Sequence, residues 1–251
     1  MPAEWRAALQ DGAKGFGIDL TEAQAEALER YVSLLLDWNQ RVNLTAITDP
    51  QEIAVLHLLD SLTCLAAVPI STNARVIDVG SGAGLPGIPL AVVRSDLRVT
   101  LLESTRKKCR FLEEAVSTLC LDGASVDCRR AEDAGRDPLL REAFDVAISR
   151  AVADLAVLAE LCLPLVKVGG LVLAMKGPRV GEEMGQGRRA CAGLGGEVEF
   201  TRSFTLGAPD EPAERVIVGI RKVTATPEKY PRRAGIPAKR PLGIDTSRNR
   251  V

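Results

Sequence analysis

The spacing of hydrophobic residues in the first part of the chain is that of helices. Between Thr21 and Val42, apolar side chains recur at steps of three and four residues, which predicts an amphipathic helix. Gln24 follows Thr21 at the spacing of a capping box, so this helix is expected to begin there. A second helix is predicted from Asp49, as its cap, to about Ala67. Residues 1–70 are therefore predicted to form a small N-terminal helical extension.

From Arg75 onward, short apolar runs alternate with segments of helical length. The runs predicted to be strands are Arg75–Val79, Val99–Glu103, Ser125–Cys128, Phe144–Ser149 and Leu171–Lys176. Because these strands are apolar throughout and helices separate them, they are expected to form a mostly parallel sheet with helices on both faces. After a helix at Arg179–Leu194, Glu197–Leu206 and Arg215–Val223 are predicted to close the sheet as an antiparallel pair. Residues 71–223 are thus assigned to an α/β, Rossmann-like domain.

Composition excludes several classes of protein and site. No apolar run approaches the roughly 20 residues that span a bilayer, and the N-terminus lacks a signal-peptide pattern, so a cytoplasmic protein without membrane contact is expected. The six cysteines form no Cys-x-x-Cys pair and are expected to be buried thiols in a reducing compartment. His57 is the single histidine, so a zinc site with two histidines is excluded and no metal is expected.

Charge is distributed unevenly along the chain, although the formal net charge is only −1. From Lys222 to the C-terminus there are eight basic and two acidic residues. Residues 224–251 are therefore interpreted as a basic C-terminal tail. Such a tail either binds a polyanion or is simply a solvated terminus.

A glycine-rich stretch follows the first predicted strand. After Val79, residues 80–87 contain four glycines and lead into an apolar helix. Ligands bind at the carboxyl ends of the strands in such sheets, and glycines let the backbone approach them closely. The stretch is therefore predicted to hold a ligand, not merely to form a tight turn.

Two ligands compete for this glycine loop. Residues 82–87 match the dinucleotide pattern G-x-G-x-x-G, which predicts a nicotinamide cofactor. Residues 78–84 match the acidic-x-G-x-G-x-G loop of methyltransferases that use S-adenosylmethionine, with Asp78 inside the strand end. An acidic loop suits a cofactor that carries an amino cation and a sulfonium, whereas a phosphate prefers bare amides at a helix N-terminus. Pro86 would also interrupt the dinucleotide helix, so the methyltransferase interpretation is favoured.

Charged residues at later strand ends extend this interpretation. Glu103 ends the second strand and could accept hydrogen bonds from both ribose hydroxyls of either candidate cofactor. Arg150 follows the fourth strand, where it would lie beside the transferred group; a salt bridge is its alternative role. His57, Asp60 and Ser61 share one helix face and are expected either to approach the site or to contact the core.

Six ordered motifs resemble a known family. They are Asn43–Ile47, His57–Leu62, Asp78–Leu90, Arg130–Glu132, Ser149–Ala153 and Tyr230–Pro237 with Pro241-Leu242. From about Thr21 to Leu242 the chain is similar to the bacterial glucose-inhibited division protein B family, also called RsmG. The resemblance implies a class I methyltransferase fold and S-adenosylmethionine as cofactor. It also implies methylation of guanine N7 in the decoding-region loop of 16S ribosomal RNA, within the small subunit or an assembly intermediate.

The glycine loop, the strand ends and the resemblance together imply particular contacts. Cofactor contacts are expected from Asp78, Gly80, Gly82, Leu85, Glu103, Ser104, Thr105, Ala131, Glu132 and Arg150. Leu85 departs from the family, which usually has Phe there, and so lacks an aromatic face toward the cofactor. The cations expected to contact the RNA backbone are Lys176, Arg232, Arg233, Lys239 and Arg240. The last four lie among prolines, which should keep that segment extended.

The implied acceptor atom also bears on mechanism. Guanine N7 presents an in-plane lone pair and needs no deprotonation before it attacks a methyl group on sulfur. Catalysis by positioning is therefore expected, with Arg150 as a candidate positioning residue and no side chain as general base. Two other classes of function stay open: a NAD-dependent oxidoreductase, from the overlapping glycine pattern, and a non-catalytic RNA-binding protein, from the basic tail.

Overall fold

The structure is a computed structural model, and it describes residues 3–150, 153–207 and 212–244. A mixed β-sheet forms its centre. Its strands in these ranges are β1 (Arg75–Val79), β2 (Arg98–Leu102), β3 (Ala124–Asp127), β4 (Phe144–Arg150), β5 (Val166–Lys176), β6 (Gly196–Leu206) and β7 (Ala213–Lys222). Their order is β3-β2-β1-β4-β5-β7-β6, with β1 to β5 parallel and β7 antiparallel to both of its neighbours. The order reverses at β1 and β4, so the carboxyl ends of these strands border the crevice where such sheets bind ligands. The predicted Rossmann-like α/β fold is confirmed.

Helices cover both faces of this sheet. They are α1 (Ala3–Gly15), α2 (Glu22–Asn39), α3 (Pro50–Ile53), α4 (Asp60–Ala67), α5 (Gly87–Val93), α6 (Arg106–Thr118), α7 (Ala131–Ala134), α8 (Leu155–Cys162), α9 (Val180–Gly193) and α10 (Ile236–Lys239). Val76 packs in a cluster with residues of α2 and α6, whereas its neighbour Ile77 packs with residues of α8 and α9. Successive side chains of a strand point to opposite faces, so two apolar cores enclose the sheet. Across the described ranges, no helix reaches the length and hydropathy that a bilayer-spanning segment requires.

The helical extension packs directly on the sheet domain. α2 begins at Glu22 with the predicted capping box of Thr21 and Gln24. The buried Tyr31 hydroxyl donates to the carbonyl of Ala83 at 2.6 Å, which joins α2 to the glycine loop. The second predicted helix is continuous but contains a π-helical segment, Ala54–Leu59, between α3 and α4. Such segments are frequent at functional sites, because they shift which side chains share a helix face.

One strand differs from its predicted bounds by more than two residues. β5 begins at Val166 and not at Leu171. Lys167, Gly169 and Gly170 interrupt the apolar run, so its first part has no strand-like pattern. The pairing shifts register within this region, because Val166 pairs with Phe144 but Leu171 pairs with Val146. A bulge of this kind cannot be deduced from hydrophobic periodicity.

The C-terminal segment up to Ile244 folds back onto the domain, which corrects the expectation of an extended tail. Arg141 donates to the carbonyl of Thr226 at 2.7 Å and so fixes the start of the segment. Pro237 lies in the first turn of α10, where its missing N–H is tolerated. Residues 245–251, the last part of the predicted tail, lie outside the described residues.

The cysteines correct the expectation of six buried thiols. Cys109 of α6 and Cys128, directly after β3, form a disulfide with Cα atoms 5.9 Å apart. Cys120 is an exposed free thiol. The buried free thiols are Cys64, Cys162 and Cys191. Pairing depends on a Cα distance that the tertiary fold sets, so spacing along the chain could not indicate it.

Alkylation should distinguish these cysteines. In denaturant without reductant, iodoacetamide is expected to modify the four free cysteines, and prior reduction should raise the number to six. Mass spectrometry of the intact protein measures the count. Cys128→Ser is the control, because it frees Cys109 and should give the same count with and without reductant. Full modification of the wild type before reduction would show that the pair is not bonded in solution.

Candidate functional site

Three glycines shape the turn between β1 and α5. Gly80, Gly82 and Gly84 have φ values of 76°, 56° and 84°, a left-handed region that residues with a Cβ atom rarely adopt. A Cβ atom at Gly84 would also lie 2.8 Å from Cγ1 of Ile88. The amide of Gly80 donates to the carbonyl of Leu102 at 2.8 Å. The backbone of the turn is therefore fixed beside the carboxyl ends of β1 and β2.

Glu103 lies directly after β2 and is 7% exposed. Its Oε2 atom accepts from the amide of Gly82 at 3.1 Å, and its Oε1 atom accepts from the amide of Thr105 at 2.7 Å. Two backbone donors thus hold the carboxylate at the turn, while each oxygen keeps a further lone pair for a ligand. This position agrees with the expectation that the ends of neighbouring parallel strands meet.

Asp78 lies beneath the turn. Its side chain is fully buried, and Oδ2 accepts from the amide of Gly87 at 3.0 Å. Oδ1 has no hydrogen-bond partner among the described residues. Burial raises the pKa of Asp78 to about 7. Asp78 therefore anchors the start of α5, and its direct contact with a cofactor stays a prediction.

A cavity of about 380 Å³, here called the first cavity, opens beside the glycine turn. The predicted cofactor contacts that line it are Gly80, Glu103, Ser104, Ala131 and Glu132. Gly82 and Thr105 do not line it but bind Glu103, which does. Leu85 is buried in the apolar core, and Arg150 lines a different cavity. The structure thus brings half of the predicted set to one cavity and places the rest around it.

The C-terminal segment supplies a wall that sequence reasoning missed. Ala234, Gly235 and Ala238 line the first cavity. The amide of Gly235 donates to Oε1 of Glu132 at 2.8 Å, which ties this wall to α7. Val157 of α8 adds an apolar surface. The sequence predicts RNA contact for Arg232 and Arg233 in the run 230–237 but no contact with the first cavity, because position in the chain gives no indication of where this segment packs.

A second cavity, also about 380 Å³, lies between the π-helical segment and the carboxyl ends of β4 and β5. Arg150 lines this cavity, and its Nη1 atom donates to Oδ2 of Asp60 at 2.9 Å and to the carbonyl of Leu56 at 3.1 Å. Arg215 of β7 forms an ion pair with Oδ1 of Asp60 at 3.3 Å, without hydrogen-bond geometry. The extension supplies both acceptors, and its docking could not be deduced from chain order. Arg150 thus lines the second cavity and not the first, and its contact with a cofactor stays a prediction.

Lys176 connects the two cavities. Its side chain lines the second cavity and donates to the carbonyl of Ala153, a residue of the first cavity, at 2.9 Å. Glu183 pairs with the same ammonium at 2.7 Å. Residues 151 and 152, which belong to the motif after β4, lie outside the described residues. The hydrogen bond from Lys176 to Ala153 therefore links the two cavities near the end of β4.

His57 faces the second cavity as a neutral side chain. Its Nε2 atom lies 2.7 Å from Oγ1 of Thr45, and its Nδ1 atom lies 3.4 Å from Nη2 of Arg150. Burial, reinforced by the charge of Arg150, lowers the pKa of His57 to about 4. The positive charge of the cavity at neutral pH therefore comes from Arg150, Lys176 and Arg215.

Replacing His57 should change how stability depends on pH. The folded protein keeps His57 neutral down to about pH 4, whereas the unfolded chain protonates it below its ordinary pKa of about 6.5. Protonation therefore favours the unfolded wild type as the pH falls through this window. From pH 7 to pH 4.5, the free energy of unfolding of His57→Gln should rise by about 2 kcal/mol relative to wild type. Urea unfolding at both pH values measures this. Asp78 titrates in the same range but is common to both proteins, so parallel pH profiles would contradict the expectation.

The cations predicted to contact RNA differ in whether an acidic side chain of the protein pairs with them. The Arg232 guanidinium pairs with the buried Glu160, with Nη2 and Oε2 2.5 Å apart. Lys176 is held by Glu183, as described above. The other three of these five cations, Arg233, Lys239 and Arg240, are exposed and have no ion pair in the described part of the chain. RNA contact by any of the five remains a prediction, and Arg232 has a structural partner that the sequence did not indicate.

Known proteins share both the sequence and the fold of this chain. Residues 24–211 match the family model described as rRNA small subunit methyltransferase G. A relative from Pelotomaculum thermopropionicum, named ribosomal RNA small subunit methyltransferase G, is 50% identical over 93% of this chain and 97% of its own. A relative of the same name from Symbiobacterium thermophilum is 47% identical over 95% of this chain and 98% of its own. Among solved structures, TrmN from Thermus thermophilus shares the fold, with a TM-score of 0.50 and 16% identity over 75% of this chain and 52% of its own. The resemblance found in the sequence is confirmed, and the chain belongs to the rRNA small subunit methyltransferase G family.

Proposed function

We propose that this chain transfers a methyl group from S-adenosylmethionine to guanine N7 in the decoding-region loop of 16S ribosomal RNA, in the cytoplasm. Family membership supports ribosomal RNA of the small subunit as the substrate. The observation that carries the chemistry is the pair of adjacent cavities, one at Glu103 and one at Arg150, joined through Lys176. An enzyme that transfers a group between two substrates needs two sites within reach of each other.

The residues of the first cavity fit S-adenosylmethionine. The Glu103 carboxylate, fixed by two amides, can accept hydrogen bonds from both ribose hydroxyls. Val157 and Leu161 offer an apolar surface to an adenine ring, and Glu132 also lines the cavity. When bound, this donor supplies a methyl group on a positively charged sulfur.

The second cavity is the proposed place of the acceptor nucleotide. Arg150, Arg215 and Lys176 outnumber the single carboxylate of Asp60 among its lining residues, so the cavity favours a negatively charged strand. Ile47, Leu56 and Met175 supply apolar wall. A base in an RNA loop can be splayed out of its stack into such a pocket, and this is how sequence-specific proteins commonly read RNA.

The side chains of the second cavity are suited to positioning and not to proton abstraction. His57 binds Thr45 through Nε2, and Asp60 is held by Arg150 and Arg215. Guanine N7 already carries its lone pair, so neither group has a proton to remove. Arg150, held by the Asp60 carboxylate and a backbone carbonyl, is the proposed positioning residue. Its role is to help keep N7 in line with the methyl group, within roughly 3–3.5 Å.

The other two functions considered from the sequence lose their support. The G-x-G-x-x-G pattern at residues 82–87 allowed a nicotinamide enzyme, but the family is one of methyltransferases. A non-catalytic RNA-binding protein would need neither the first cavity nor a buried carboxylate at its edge. A fluorescence titration with NADH would reveal any residual nicotinamide binding.

Methyl transfer to RNA from a strain that lacks this gene tests the proposal. The purified protein, S-adenosylmethionine and either deproteinised 16S RNA or intact small subunits are combined, and the modified nucleoside is mapped by mass spectrometry. N7-methylguanosine in the decoding-region loop is the expected product. The two RNA preparations show whether the naked RNA or the assembled subunit is the substrate. Absence of donor binding by calorimetry, or a methyl group on another atom, would overturn the proposal.

A further inference from the structure

The first turns of α6 carry an exposed basic face. Arg106, Lys107 and Arg110 are exposed, and their spacing of three and four residues places them on one side of the helix. None of them has an ion pair within the described ranges. We refer to these three residues as the α6 cations. The buried side of the same helix, at Cys109 and Phe111, faces the core.

Helix stability does not account for these cations. The N-terminus of a helix carries a partial positive charge, so acidic side chains stabilise it and basic ones destabilise it. The first turn of α6 has no acidic residue, and its N-cap, Thr105, makes no side-chain capping bond. An external group with negative charge would relieve the repulsion that this arrangement creates.

The α6 cations closely follow residues that line the first cavity. Glu103 and Ser104, which line the cavity, directly precede the helix. Arg130 lines the cavity itself, is exposed and has no ion pair in the described part of the chain. By contrast, the neighbouring Arg129 is held by Asp127 and Asp137, both at 2.6 Å.

The C-terminal segment brings further free cations to the same cavity. Its lining residues Gly235 and Ala238 are flanked in the chain by Arg233, Lys239 and Arg240, all exposed and unpaired among the described residues. Arg130 therefore lines the cavity, and the free basic side chains of α6 and of the C-terminal segment lie within a few residues of lining residues in the chain. The exposed large apolar residues within the described ranges include no aromatic side chain, so this surface offers charge and no exposed aromatic ring for base stacking.

We propose that the α6 cations and Arg130 form a phosphate-binding surface for the substrate RNA, continuous with the free cations of the C-terminal segment. The proposal rests on the proposed function for the identity of the RNA and adds a surface that the sequence motifs did not indicate. Contacts of this kind read the backbone and fix its register, while the second cavity selects the base. RNA bound to this surface would thus pass over the first cavity.

Salt-dependent RNA binding tests this surface. The full chain is titrated into fluorescently labelled 16S RNA at 50–200 mM salt, a range roughly suited to counterion release. The triple variant Arg106→Gln/Lys107→Gln/Arg110→Gln is expected to bind about tenfold or more weakly at low salt. The plot of log affinity against log salt has a negative slope, and its magnitude should decrease by about 2. Each lost phosphate contact on a single strand removes roughly 0.7 from that magnitude, and the variant loses three contacts.

Two controls make the result specific. Arg98→Gln removes an exposed, unpaired cation at the opposite end of β2, the amino end, and should leave RNA binding unchanged. Calorimetry should show that the triple variant binds S-adenosylmethionine as tightly as wild type does. The single variant Lys107→Glu gives a second reading if the triple variant is poorly folded, with an expected loss of RNA affinity of about threefold or more.

The outcomes separate this inference from the proposed function. The triple variant could bind RNA with wild-type affinity and wild-type salt slope, while only the variant Arg233→Gln/Lys239→Gln/Arg240→Gln loses RNA affinity. That result would overturn the inference and leave the enzyme assignment intact. Equal loss of donor and RNA binding in the folded triple variant would also overturn it, since the cations would then shape the first cavity. A wild type that binds RNA but neither binds nor uses the donor would instead overturn the proposed function.

Discussion

Replacing Glu103 with alanine should weaken binding of S-adenosylmethionine by about 100- to 1,000-fold. Glu103 lines the first cavity, and hydrogen bonds to a charged group contribute about 1.5–3 kcal/mol each. Two ribose hydroxyls would lose their acceptor in the variant. The amides of Gly82 and Thr105 would also lose theirs, which loosens the glycine turn. Isothermal titration calorimetry with the donor and with its demethylated product measures the effect.

Two further variants separate the causes of this loss. Glu113→Ala removes an exposed acid from the same helix, α6, and should leave donor affinity unchanged. Glu103→Gln keeps one acceptor oxygen but no charge, so its affinity should lie between those of wild type and Glu103→Ala. If Glu103→Ala unfolds cooperatively like wild type and still binds the donor with wild-type affinity, the donor does not lie in the first cavity.

The part of the site that could be predicted from sequence is the part formed by neighbouring strand ends. Gly80 directly follows β1 and Glu103 directly follows β2, and these strands pair in parallel. Parallel pairing brings the carboxyl ends together, so the glycine pattern and the position of one acid were enough to place both residues. Apolar runs with helices between them likewise predicted the sheet, because parallel strands that are buried on both faces are apolar throughout.

The rest of the site depends on packing between segments far apart in the chain. Arg150 lies at the carboxyl end of β4, close to its predicted place, but Asp60 of the extension holds it in the second cavity. Gly235 reaches the first cavity because the C-terminal segment folds back over α7 and α8. Neither arrangement leaves a periodic or local signal, since each depends on one side chain meeting a distant partner. The buried acid at Glu160 is such a case, because its helical position reads as part of an apolar run.

Arg232→Met should destabilise the folded protein by about 2–4 kcal/mol. Glu160 is 0% exposed, and the Nε atom and the backbone amide of Arg232 donate to its Oε1 at 2.8 and 2.9 Å. The substitution leaves a buried carboxylate with only a backbone donor, and an uncompensated buried charge is strongly unfavourable. The Arg232 side chain is 23% exposed, so water screens part of the pair and the lower half of the range is the more reasonable. Urea unfolding monitored by circular dichroism measures the change.

The partner substitution shows whether the buried charge is the cause. Glu160→Leu/Arg232→Met removes both charges and should recover most of the lost stability, because no unpaired carboxylate remains. Arg233→Met removes an exposed, unpaired neighbour and should change stability by no more than about 0.5 kcal/mol. Since Gly235 lies three residues beyond Arg232 and lines the first cavity, Arg232→Met should also weaken donor binding. Equally small effects of Arg232→Met and Arg233→Met would show that Arg232 is a solvated cation, free to contact RNA as the sequence alone suggested.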